Sequence, residues 1–288
     1  MKFTGISLGL LLASLLPAAA QLSVEVVLEQ EQFLLGEAVP AAVKVTNRSG
    51  QTLQLGKDAS WLTFSVESGE GFVVGKNGEV PVVQEFTLPS SKVATRKVEL
   101  TPYFTLSRAG RYRIIATVYV KEWDKQFLSQ AKGFDVITGA KLWSQEIGVP
   151  APAGDTNRAP EVRKYTLQQA NYLRTQPRLY VKLSDSSEER VMKVYSLGNL
   201  VSFSKPDPQV DKLSNLHLLF QNGARTFSYN LISPDGELKV RQTYESAATR
   251  PRLRMGEDGK LEVAGGMRRV SATDVPTPKN TEDDAASR

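Results

Sequence analysis

The chain of 288 residues has no cysteine and a single histidine, His217. The first absence excludes disulfide scaffolds, thiol nucleophiles, zinc knuckles and iron–sulfur clusters. The second excludes metal sites built on two imidazoles and leaves one candidate for any histidine-dependent catalysis. The chain also lacks a Gly-rich phosphate cradle, a Gly-x-Ser-x-Gly nucleophile elbow and a convincing internal repeat. Pro234-Asp235-Gly236 is turn chemistry, because the alternating oxygen ligands of a calcium loop are missing around it. Near-average composition, 41% hydrophobic and 23% charged, excludes wholesale disorder, collagen-like repeats and coiled coils.

The N-terminus carries the most specific local signal. Lys2 gives a positive start, Leu8 to Leu16 is a short apolar run, and Ala18-Ala19-Ala20 fits the small-x-small cleavage rule. Residues 1–20 therefore read as a signal peptide cut before Gln21. The run is too short for a bilayer anchor, no later stretch qualifies as a membrane helix, and no cysteine follows the cut for lipidation. The expectation is an exported, soluble protein, periplasmic or extracellular.

From Leu22 to about Gly139 the text is strand-like. Leu22–Leu28, Ala42–Thr46, Leu62–Val66, Lys97–Leu100, Tyr112–Val120 and Phe134–Ile137 are rich in β-branched and aromatic residues. Most alternate, and turn residues such as Asn47-Arg48-Ser49-Gly50 and Lys76-Asn77-Gly78 separate them. Leu35-Gly36-Glu37-Ala38-Val39 followed by Val43 to Gly50 resembles the first two strands of bacterial secreted immunoglobulin-like β-sandwich domains. Leu106-Ser107-Arg108-Ala109-Gly110-Arg111-Tyr112 resembles the approach to their penultimate strand. The resemblance covers about residues 22–138. It implies a sandwich with a corner in which a tyrosine hydroxyl bonds back to the chain, and it implies nothing about a ligand.

Pro150 to Pro160 is Pro-, Gly- and small-residue-rich, so residues 141–161 read as a linker between a first domain, 21–140, and a second, 162–270. The second reads as an antiparallel meander with strands at Arg178–Leu183, Val191–Tyr195, Leu216–Phe220, Thr226–Ile232, Leu238–Tyr244, Arg252–Met255 and Leu261–Val263. Asn222-Gly223 and Gly256 to Gly259 supply hairpin turns. Thr166–Arg174 suggests a short helix, and the polar, acidic residues 271–288 suggest disorder. The fold class is all-β: an immunoglobulin-like N-terminal β-sandwich plus a second antiparallel β domain.

The formal net charge is +5, with the excess in the second domain. So modest and spread an excess does not make a nucleic-acid footprint. The one local cluster is Arg250, Arg252 and Arg254, which share a strand face at period two; Lys239 and Arg241 join them if the preceding strand pairs there. Such a face could grip phosphate, sulfate or carboxylate groups, or it could be a solvated face neutralised by Glu245 opposite Arg250 and Glu262 opposite Arg254. Tyr119 and Trp123 fall on the outer side of their strand, which suits a sugar or protein contact or interdomain packing, and Trp143 also suits packing. His217, alternating with leucines, reads as a structural residue with a satisfied ring. Glu67, Glu70, Asp207, Asp211 and Asp235 have no context that marks a catalytic carboxylate pair. Asn47-Arg48-Ser49 matches a glycosylation acceptor but reads as a surface turn.

The sequence thus points to a non-enzymatic binding or interaction protein outside the cytoplasm. Its partner would be a protein or a polysaccharide, with no nucleic acid, cofactor, metal or membrane span. The alternative is a carbohydrate or anionic-polymer binding protein that uses Trp123 and Tyr119 or the Arg250–Arg254 face. A hydrolase with an unlocated carboxylate pair comes third.

Overall fold

Alternation of apolar and polar side chains puts one face of each strand in a core, and most of the chain is built this way. A computed structural model describes residues 21–149, 161–257 and 259–275; the expected signal peptide, residues 150–160 of the expected linker and residues 276–288 of the expected tail lie outside them. In chain order the first half holds β1 (Leu22–Leu28), β2 (Gln32–Leu34), β3 (Pro40–Asn47), β4 (Leu53–Leu55), β5 (Leu62–Ser68), β6 (Phe86–Leu88), β7 (Val93–Glu99), β8 (Gly110–Val120), β9 (Lys125–Leu128) and β10 (Lys132–Ile137). Helical structure among the described residues is confined to two single 3₁₀ turns, Ala59–Trp61 and Lys121–Trp123.

One sheet runs β1-β3-β7 and another β2-β10-β8-β5, with β9 added to the end of β8; β4 and β6 form a separate pair. All pairings are antiparallel except β2 with β10. The two main sheets share one core. Val24, Val43 and Val45 come from the first, and Leu62, Phe64, Ile114 and Val118 from the second. Along β8, Tyr112, Ile114, Ala116, Val118 and Val120 are all buried, as their spacing requires. Asn47 is buried too: its amide donates to Gln51 O (2.7 Å) and Leu88 O (2.9 Å), so the acceptor-like triplet is a structural turn.

The second half holds β11 (Ala140–Val149), β12 (Glu161–Tyr172), β13 (Gln176–Asp185), β14 (Val191–Asn199), β15 (Asp207–Val210), β16 (Leu216–Gln221), β17 (Thr226–Ile232), β18 (Leu238–Glu245), β19 (Arg252–Met255), β20 (Leu261–Ala264) and β21 (Met267–Arg269). They form an antiparallel sheet β11-β12-β13-β14, a second β15-β16-β17-β18-β21, and the hairpin β19-β20. Tyr165, Leu167, Leu179 and Val181 of the first sheet pack against Leu216, Leu218, Phe220 and Ile232 of the second. The opposite face of β16–β18 is covered by the hairpin through Leu253, which meets Leu219, Phe227, Tyr229 and Val240.

Three expectations change. Residues 140–149, expected mostly within the linker, are the edge strand β11, because Trp143 and Ile147 have a core to cover. The halves therefore join directly at Thr138-Gly139, where Leu34 and Ile137 pack on Ala170, Tyr180 and Val194. Thr166–Arg174 is not a helix: most of it lies in β12, which is hydrogen-bonded on both sides, and pairing overrides the local preference of Leu167, Gln168, Gln169 and Ala170. The start of the expected disordered tail is ordered. Val275 exchanges backbone hydrogen bonds with Arg241, and Asp274 pairs with Arg268 at 2.7 Å.

Candidate functional site

Strand β19 sets two guanidiniums on one face by period two. Leu253 points into the core while Arg252 and Arg254 stay exposed. The chain leading into the strand adds Arg250, whose Cζ lies 5.1 Å from the Phe227 ring centroid, a cation–π contact. A fourth cation, Lys205, comes from the loop before β15. Together Lys205, Arg250, Arg252 and Arg254 line a cavity of about 720 Å³, with Leu219, Phe220 and Phe227 contributing apolar surface from β16 and β17. That volume falls in the range of ligand sites.

Among the described residues one acid lines this cavity, Asp207, and its Oδ2 accepts a hydrogen bond from Leu253 N (3.3 Å), tying β15 to β19. Arg254 is partly neutralised by Glu262, opposite it in the hairpin, at 3.0 Å. Arg252 and Lys205 make no ion pair among the described residues. Gly265 also lines the cavity and, like the adjacent Gly266, has a positive φ (76° and 67°). A Cβ at Gly265 would lie 2.9 Å from Arg250 O and a Cβ at Gly266 2.9 Å from Glu245 O, so this close approach of backbone to backbone requires glycine.

The arginine triplet expected from the sequence is therefore brought into one cavity, but its partners differ. Lys239 and Arg241 do not join it, because β18 pairs with β17 and β21 rather than with β19. Lys239 pairs with Glu237, and Arg241, half-buried, donates to Asn230 Oδ1 (3.1 Å). Glu245 faces Arg269 (2.8 Å), not Arg250, so it neutralises none of the triplet. Sequence reasoning missed Lys205, which sits in a loop far from the triplet in the chain and carries no local pattern.

The aromatic pair is split. Tyr119 lines a cavity of about 440 Å³ with Trp61, Lys57, Asp58, Lys121 and Glu122, where charges of both signs meet. Its hydroxyl donates to Asp124 Oδ1 (2.8 Å), which pushes its pKa up. Trp123 borders a smaller recess near Gln21 and Lys125 and stacks edge-on against Phe127 (5.9 Å) at the margin of the first core. Trp61 is buried, with its indole N–H on Val82 O (2.7 Å), and Trp143 packs on the second core.

His217 is buried between two partners: Nδ1 meets the Tyr229 hydroxyl at 2.9 Å and Nε2 meets Asp211 Oδ2 at 3.1 Å. Burial works to raise the Asp211 carboxyl, but hydrogen bonds from Asn215, His217 and Leu213 N outweigh it and hold it below the ordinary range. Burial pushes the Tyr229 phenol up to about 12, so it stays protonated. The ring is satisfied, as its setting in the sequence suggested. Among the described residues no three metal-ligating side chains converge, and no helix is long and apolar enough to cross a membrane.

No known protein family matches the chain, and no curated protein does. Among solved structures, the sporulation control protein Spo0M from Bacillus subtilis is similar at a TM-score of 0.29 and 9% identity. The match covers 62% of this chain and 91% of that chain.

Proposed function

We propose that this is an exported, non-enzymatic binding protein that grips anionic groups in the cavity between β19 and the β15–β18 sheet. The carrying observation is that four cations line one cavity with a single acid, and that Arg252 and Lys205 have no ion-pair partner among the described residues. Guanidinium forks pair two N–H donors with the oxygens of a carboxylate, sulfate or phosphate, and the phenylalanine-lined wall suits the apolar face of a sugar ring or linker. The ligand class is thus an anionic polymer or oligosaccharide.

The non-enzymatic reading rests on what the cavity offers. A glycosidase needs two carboxyl groups facing across the scissile bond, whereas Asp207 is alone and already holds Leu253 N. His217 is committed to Tyr229 and Asp211. The first half is, in this reading, an immunoglobulin-like scaffold. Its sheet order and the Tyr112 hydroxyl bonded back to Arg108 O support that assignment. Export rests on the N-terminal signal alone.

Calorimetric titration with a carboxylated or sulfated oligosaccharide tests the reading. Wild type should bind, and Arg252→Ala should weaken binding by about tenfold or more, the loss of a charge-assisted pair. Equal affinity of the two proteins would remove the cavity from the account.

A further inference from the structure

The loop that supplies Lys205 carries a second feature. Val201 to Ser204 forms a turn closed by Ser204 N on Val201 O (3.0 Å), and Phe203 occupies its third position at φ 64°. That is the left-handed region, which glycine or asparagine normally fills and a bulky aromatic adopts only under strain. The Phe203 ring is fully exposed, and Ser204 Oγ beside it is buried with no hydrogen-bond partner among the described residues. A strained backbone, an orphaned hydroxyl and a solvated phenyl ring are all unfavourable to the folded chain taken alone. Such a combination points to function.

The turn is fixed to the cationic cavity. Val201 N donates to Gln221 O (3.0 Å), and Gln221 lines that cavity, as does Lys205 two residues beyond the phenyl ring. An exposed apolar finger therefore sits on a turn anchored to one cavity-lining residue, Gln221, and two residues before another, Lys205, which lines the cavity with Arg250, Arg252 and Arg254.

We infer that this face docks on a bilayer surface containing anionic phospholipid, with Phe203 inserted at the acyl boundary and the four cations on headgroup phosphates. The inference rests on the anion-binding reading of the cavity and puts phospholipid headgroups, in place of a soluble polymer or oligosaccharide, as the source of the anion. Charge complementarity selects the partner: a zwitterionic surface would not repay burial of unpaired guanidiniums, and a soluble polyanion would make no use of the exposed ring. A single apolar finger or a few cations alone would give only marginal membrane binding, and the two signals together give a specific one.

The test is co-sedimentation of the full chain with phosphatidylglycerol–phosphatidylcholine vesicles and with phosphatidylcholine vesicles. It is run beside titration of the same proteins with a soluble carboxylated oligosaccharide. Wild type should bind the anionic vesicles and not the zwitterionic ones. Phe203→Asn, which suits the left-handed backbone, should lose at least about tenfold on vesicles while binding the oligosaccharide as wild type does. Phe203→Trp should retain binding, and its fluorescence should be quenched by brominated acyl chains. The membrane inference is overturned if wild type ignores anionic vesicles, if Phe203→Asn sediments as wild type does, or if the new tryptophan is not quenched. Oligosaccharide binding that survives any of these results leaves the anion site standing; failure of Arg252→Ala to affect either ligand sinks the site itself.

Discussion

The Tyr112 hydroxyl donates to the Arg108 carbonyl at 2.7 Å, closing the corner by which the chain enters β8. The ring beneath is fully buried and stacks on Phe134 at 5.6 Å between centroids. Tyr112→Phe keeps the stacked ring and removes only the donor. It should lower stability by about 1 kcal/mol, read as a shift of the denaturant midpoint at constant slope. No loss would mean that the corner bond is replaced by water at no cost.

Phe203 makes the opposite prediction for stability. A non-glycine residue in the left-handed region costs about 1–2 kcal/mol, and asparagine bears this best after glycine. Phe203→Asn should therefore raise the thermal midpoint. A fall would show that the exposed ring has a folding role.

Glu188 accepts from Lys164 (2.9 Å) and Lys182 (3.3 Å), with Lys141 at 3.7 Å. Hydrogen bonds from the first two lysines hold its carboxyl down to about 2. A depressed folded pKa stabilises the native state above the unfolded value of about 4.5 and loses that contribution as pH falls toward 2. The site is near the surface, so the contribution is about 1 kcal/mol or less. Glu188→Gln should destabilise the protein at neutral pH and leave it nearly unchanged near pH 2, measured by urea midpoints across that window. A pH-independent difference would assign the effect to packing.

Trp123 separates a sugar platform from core packing. Because it stacks on Phe127 at the core margin, Trp123→Ala should cost on the order of 2 kcal/mol and leave oligosaccharide affinity unchanged. Lost affinity with unaltered stability would move the binding site to the first half.

Strands rich in β-branched and aromatic residues between turn signals were legible to the residue in places: Leu22–Leu28, Thr226–Ile232 and Arg252–Met255 stand where the pattern put them. Strand β11 was not, because Leu142 faces solvent and breaks the alternation, and its partner β12 lies across the Pro-rich stretch. The Arg254–Glu262 pair followed from hairpin register, a local property. Arg250 with Phe227, and Lys205 with the triplet, depend on how the hairpin docks on the β15–β18 sheet. That docking is set by Leu253 entering a core made of residues from three other strands, and no short-range pattern encodes it.

The most direct test of the account is the salt dependence of binding to a sulfated oligosaccharide, compared between wild type and the Lys205→Ala/Arg252→Ala double variant. Both side chains are exposed, so the two proteins should unfold at the same temperature. Wild type should bind tightly at low salt and lose affinity steeply as salt rises, while the double variant binds weakly with little salt dependence. Equal affinities and equal salt dependence would contradict the assignment of the cavity as an anion site.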